Sequence, residues 1–185
     1  MKAQLLIGLA GALALAACNN ATETQEPAAQ ATGDINPPTA ETALPDTSTP
    51  QGFVDAAASS DMYEIEAAKI AEQRSANEKV KSFAQMMITD HTASTQKLKA
   101  AVAKAGGVGL PLAMQPKHRT DLDALVAAGD NFDALYANQQ IAAHEEALAL
   151  LKSQAASGAS EPLKAFASET APIVEGHLSH ARELP

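Results

Sequence analysis

The chain has 185 residues with a formal charge of −9 and a pI near 4.9, so a nucleic-acid backbone or an anionic lipid surface would repel most of it. Aromatic residues make up 3% with no Trp, whereas Ala and Leu are abundant, a balance that favours helices packed through small side chains. The length suits one domain with a real core, and an all-α fold is the expectation.

Residues 1–18, MKAQLLIGLAGALALAAC, carry one positive charge at Lys2, an apolar run from Leu5 and a small-residue site ending in Cys18. The run is too short for a permanent membrane span and reads as an export signal. Leu15-Ala16-Ala17-Cys18 resembles the bacterial lipobox, in which cleavage precedes a Cys whose thiol carries lipid. Cys18 is the one Cys in the chain, which sets aside disulfide and thiol-redox chemistry. Asn19 and Asn20 lack the Asp that marks inner-membrane retention in bacterial sorting patterns. The expectation is therefore a periplasmic protein anchored to the outer membrane. From 19 to 50 the chain is Thr, Ala, Pro, Glu and Gln with five prolines and almost no large apolar residue, so it cannot offset the entropy of ordering. It is expected to be a disordered tether with a span of roughly 30 Å, leaving 51–185 as the folded domain.

Four long amphipathic helices are expected in that domain. The first covers Pro50 to Arg74, capped by Thr49 with Pro50 in its first turn. The second follows Ser-Ala-Asn-Glu, where Ser75 and Glu78 have capping-box spacing, and runs to Ala105 before Gly106-Gly107. A connection with Pro111, Pro116 and a short helix near Lys117 to Ala128 comes next. The third long helix runs from about Asn131, capped by Asp130, to Ala156. The fourth starts at Ser160 with Pro162 in its first turn and reaches about Glu183, with a kink or defect expected at Pro172.

At about 100° per residue, each helix has an apolar stripe. Phe53, Ala57, Ala68 and Ala71 share one; Val80, Ala84, Met87, Leu98 and Val102 share the second. Phe132, Tyr136, Ala143 and Leu151 lie on the third, and Leu163, Ala167, Val174 and Ala181 on the fourth. Each long helix also carries one Phe near its start. Four such stripes make a four-helix bundle.

The segments FVDAAASSDMYEIEAAKIA, VKSFAQMMITDHT, FDALYANQQIAAHEEAL and LKAFASETAPIVEGHL resemble, in order, those of the domain of unknown function 4142 family. This is a ferritin-like bacterial family often labelled as predicted outer membrane proteins. The resemblance covers about Phe53 to Arg182. It implies a periplasmic four-helix bundle with motif positions at Glu64, Asp90, His91, Tyr136, His144 and His177, and conveys fold and export better than activity.

The wheels place Glu64 within about 20° of Phe53 and Ala57, and His91 within about 20° of Val80 and Leu98. His177 also faces inward, and His144 sits at the edge of its stripe, one turn beyond Gln140 and two beyond Tyr136. Each lies near mid-helix, so all four reach a similar depth whatever the bundle topology. One carboxylate and three imidazoles could ligate zinc, iron or copper. The alternatives are a buried hydrogen-bonded network completed by Tyr136 and Gln140, or a small-ligand pocket. Asp90 points toward the rim, where it would orient an imidazole rather than bind metal directly. His180 points outward, and His118 in the connection is expected at the surface. Met86 and Met87 read as core filler.

No Glu-x-x-His occurs, which removes the motif of di-iron bundles. No nucleophile elbow, phosphate-binding glycine loop or dinucleotide fingerprint is present either, so hydrolase, kinase and thiol-redox classes are unsupported. The sequence reading is a lipid-tethered periplasmic bundle of the non-catalytic binding or envelope-maintenance kind, with its envelope partner unidentified. The alternative is a ferritin-like metal-binding or redox protein using Glu64, His91, His144 and His177.

Overall fold

The computed structural model describes residues 46–185; Cys18, the expected export signal and most of the expected tether lie outside the described residues. All regular structure in this range is helical: α1 (Pro50–Arg74), α2 (Glu78–Ala105), α3 (Pro116–Ala127), α4 (Phe132–Ser157) and α5 (Glu161–Ala181). Among the described residues no helix is long and apolar enough to cross a membrane.

The helix ends follow local chemistry, with two departures from expectation. Thr49 caps α1 as expected, its Oγ1 accepting from the Gly52 N–H at 3.0 Å. The Ser75–Glu78 capping box does not form. Ser75 terminates α1 through its N–H to the Ala71 carbonyl, and its Oγ accepts from Asn77 N–H at 3.0 Å. Asn77 takes the cap of α2 instead, accepting from Lys79 N–H at 2.9 Å. With so short a joint, Ser75 is committed to the helix behind it. At the far end of α2, Gly106 and Gly107 adopt φ of 64° and 67°, the left-handed region that side chains disfavour. The second departure is at α4, where Asn131 rather than Asp130 occupies the cap position and makes no side-chain capping bond. Pro162 sits in the first turn of α5, and the helix runs unbroken past Pro172 to close at Ala181.

The route of the chain follows from contacts at the two ends. Gln51, at the start of α1, donates to the Gly109 carbonyl at 2.7 Å and accepts from the Gly109 N–H at 2.9 Å, so α2 ends where α1 begins. The connection then returns alongside α1 as α3. At the other end the Arg74 guanidinium donates to the carbonyls of Leu125, Val126 and Ala128 and lies 4.8 Å from the Phe132 ring centroid. Thus α4 starts where α2 started. Helices α2 and α4 run one way, α1 and α5 the other, with a single long crossover carrying α3.

This route sorts the four phenylalanines into two ends. Phe53 and Phe166 meet edge to face at 6.2 Å in one cluster with Val54, Leu98, Leu151 and Leu163. Phe83 and Phe132 flank Tyr136 at 6.1 and 6.2 Å in the other, with Met87, Val80 and Leu125. Between the two apolar clusters lies a layer of buried polar side chains.

Candidate metal centre

Three helices each send one imidazole into that layer: His91 from α2, His144 from α4 and His177 from α5, all buried. Their ring centroids form a near-equilateral triangle with sides of 5.7, 5.5 and 5.5 Å. One nitrogen from each ring lies within 4.8 Å of the other two.

The remaining nitrogen of each ring is tied outward. His91 Nδ1 donates to Asp61 Oδ1 at 2.8 Å, His144 Nδ1 to the Gln140 carbonyl at 2.8 Å, and His177 Nε2 to Asp90 Oδ2 at 2.9 Å. Ionised carboxylates and carbonyls only accept, so each tied nitrogen carries the hydrogen and the tautomer is fixed. His91 Nε2, His144 Nε2 and His177 Nδ1 are then free lone pairs, buried and without a hydrogen-bond partner in the protein.

Electrostatics separate the three rings. Burial, aided by the positive charge His91 can carry, lowers His144 to about 4. Burial likewise lowers His177 to about 4, against the opposing Asp90 hydrogen bond. His91 moves the other way: burial is the largest single influence and pulls it down, yet the Asp61 bond and the Glu64, Asp61 and Asp90 charges together outweigh it. Two rings are therefore neutral donors at neutral pH, and the third is where a positive charge is best tolerated.

Glu64 enters the same layer from α1 and is buried, but its carboxylate stands beside the triangle rather than in it. Its Oε1 is 3.7 Å from His144 Nδ1, whose hydrogen is already given to Gln140. Both carboxylate oxygens lack a hydrogen-bond partner, and burial raises the Glu64 pKa. The Tyr136 hydroxyl and the Gln140 side-chain amide are also buried and unpartnered. The sequence placed Glu64 and the three histidines together; the structure gathers the imidazoles closely and leaves Glu64 adjacent. The mutually satisfied network does not form, because each imidazole spends its N–H on an acceptor other than Glu64.

Asp90 is partly exposed and grips His177, the ring from the opposite hairpin. Sequence reasoning missed Asp61, which is buried, holds His91 and accepts from Thr95 Oγ1 at 3.2 Å through its second oxygen. Its signal was there: an acid one turn before Glu64 on the same inward face of α1.

His118 is a correction. It is buried rather than at the surface, stacked on Tyr63 at 5.1 Å and hydrogen-bonded through Nδ1 to Ser59 Oγ at 2.7 Å. Ser59 Oγ also accepts from the Gln115 N–H at 2.8 Å. This pair fastens the start of α3 to α1. His180 is exposed, while Met87 is fully buried and Met86 packs partly buried against the same cluster.

Comparison with known proteins bears on the fold. A family model described as Domain of unknown function (DUF4142) matches residues 36–184. A solved structure of CopM in the Cu(II)-bound form is similar, with 19% sequence identity, a TM-score of 0.61, and coverage of 72% of this chain and 93% of that one. That likeness is one of helical architecture. No curated protein sequence matches the chain.

Proposed function

The chain belongs to the domain of unknown function 4142 family, and we propose that it is an exported, lipid-anchored protein that holds one transition-metal ion among His91, His144 and His177. The observation that carries this reading is the convergence of three buried lone pairs whose tautomers are fixed from behind. Three unpartnered nitrogens brought this close are a ready-made donor set for a cation, which would displace the proton that His91 tolerates. An acceptor tied to the rear nitrogen of each ring is the arrangement that orients metal-binding imidazoles and raises their basicity. Nitrogen donors suit zinc, copper and nickel, and Cu2+ heads the affinity order among divalent ions. Copper is also the ion bound in the similar CopM structure. Bonds of about 2.0–2.1 Å to each nitrogen would draw the three rings together from their present spacing.

The role is binding rather than turnover. Anchoring through Cys18 with the 19–50 segment as a tether would hold the centre in the periplasm on the outer membrane. Cys18→Ser should abolish incorporation of labelled fatty acid and release the protein in soluble form.

The direct test is uptake of Cu2+ or Co2+ by chelator-free protein, read by calorimetry and visible absorption. One ion per chain is expected in the wild type, with loss in His91→Ala, His144→Ala and His177→Ala. No stoichiometric uptake, or uptake indifferent to all three substitutions, overturns the reading.

A further inference from the structure

Glu64 is 1% exposed, and its Oε1 lies 3.7 Å from His144 Nδ1, the ring nitrogen already bonded to the Gln140 carbonyl. The carboxylate therefore stands behind a ring of the triangle and is not one of its donors. Neither of its oxygens has a hydrogen-bond partner. Among the described residues no Lys or Arg pairs with it; the positive charges that act on it are those of His91, His118 and His177. Of these, His177 is neutral at neutral pH and burial holds His118 below its ordinary value.

Asp61 is the other buried carboxylate at the centre, 2.8 Å from His91 Nδ1. Asp90 differs from both, since its side chain is 40% exposed and water screens its charge. Three neutral imidazoles bring no charge to an ion they hold. In a buried setting such a donor set favours the ion of lower charge, because the cost of taking an ion out of water climbs steeply with its charge. Two buried carboxylates reverse that preference. Their two negative charges match a dication, whereas a monocation leaves one of them uncompensated. Asp61 also holds a ligand ring in place. Glu64 holds none, and a buried carboxylate without a protein partner is costly unless a nearby cation offsets it.

We propose that Glu64 sets the charge of the ion this centre accepts, making it a site for a dication such as Cu2+ and against the monocation Cu+. This inference rests on the metal reading above and adds the oxidation state for which the site is built. Glu64 acts through space as a countercharge, without touching the ion. Its attraction for Cu2+ is twice that for Cu+, so a charge that changes Cu2+ affinity about tenfold changes Cu+ affinity about threefold.

The test measures both affinities on the full chain, Cu2+ against a chromophoric chelator and Cu+ against bicinchoninate without oxygen, together with the midpoint potential of the bound couple. In the wild type Cu2+ is expected to bind the more tightly. Glu64→Gln, which keeps the shape and removes the charge, should weaken Cu2+ about tenfold and Cu+ about threefold. That change in the ratio raises the potential by about 30 mV, a tenfold change being about 59 mV for one electron. Glu64→Asp, which retains the charge, should leave the ratio at its wild-type value. A purely structural role would weaken both ions alike and leave the potential where it was. An unmoved potential in Glu64→Gln, or a wild type that binds Cu+ the more tightly, overturns the proposal and leaves the metal reading intact. Failure to take up either ion overturns the metal reading and this proposal with it.

Discussion

Two groups of buried histidine occupy this domain, and they are built on opposite principles. His118 has its Nδ1 matched to Ser59, its ring stacked on Tyr63, and Ser59 in turn matched to the Gln115 N–H. His91, His144 and His177 are also bonded through one nitrogen each, but their second nitrogens are fully buried and meet without partners. Burying a polar atom without a hydrogen bond costs free energy, about 1–3 kcal/mol in protein mutational data. A polar group retained only for stability would be expected to look like His118. The triangle keeps a cost that the clasp avoids, which is the mark of a site where something else completes the coordination.

The sharpest way to break this contrast is to remove a ring from each group. Alanine at His91, His144 or His177 should lower metal affinity by more than about a hundredfold, since even changes behind the ligands cost about 10–100-fold. Competition against a chromophoric chelator measures it. Asp61→Asn tests the supporting layer: the amide is a poorer acceptor for His91 Nδ1, and a loss of about tenfold is expected in the same assay. An unchanged affinity would mean that Asp61 does not hold the ring. Ser59→Ala should act in the opposite sense, costing about 1–3 kcal/mol in urea unfolding of the metal-free protein while leaving metal affinity alone.

The smallest effect expected is in pH. Burial, with Lys117 pushing the same way and Glu146, Glu64 and Asp121 opposing, holds the His118 imidazole below its ordinary 6.5. The unfolded chain therefore takes up this proton first. The stability contributed by the clasp is complete above about pH 6.5 and shrinks as the pH falls toward the folded value. The stability gap between wild type and His118→Gln should accordingly be wider near pH 7.5 than near pH 5.5, and a gap independent of pH would argue against the clasp.

What the residues alone revealed follows the same division. The long helices could be bounded because Pro50, Gly106, Gly158 and Pro162 act locally, and the inward depth of Glu64, His91, His144 and His177 because rotation per residue is nearly constant. Which of two neighbouring polar residues caps a helix is not local in that sense. Ser75 is claimed by the end of α1, leaving Asn77 to open α2. His118 escapes a sequence reading because a connection is assumed to lie on the surface, whereas the return of α3 along α1 buries one face of it. The wheel also gives direction without reach. It could not tell that Glu64 would stand aside while Asp61, one turn earlier, took hold of His91.

The crossover through α3 divides the domain into two helical hairpins, and the ligand set is split between them. Asp61, Asp90 and His91 belong to α1 and α2; Gln140, His144 and His177 belong to α4 and α5; the Asp90–His177 bond spans the gap. Neither half can capture an ion unaided. A captured ion would therefore act as a latch between the halves, slowing their separation rather than hastening their meeting, and its grip would grow with the free metal in the compartment.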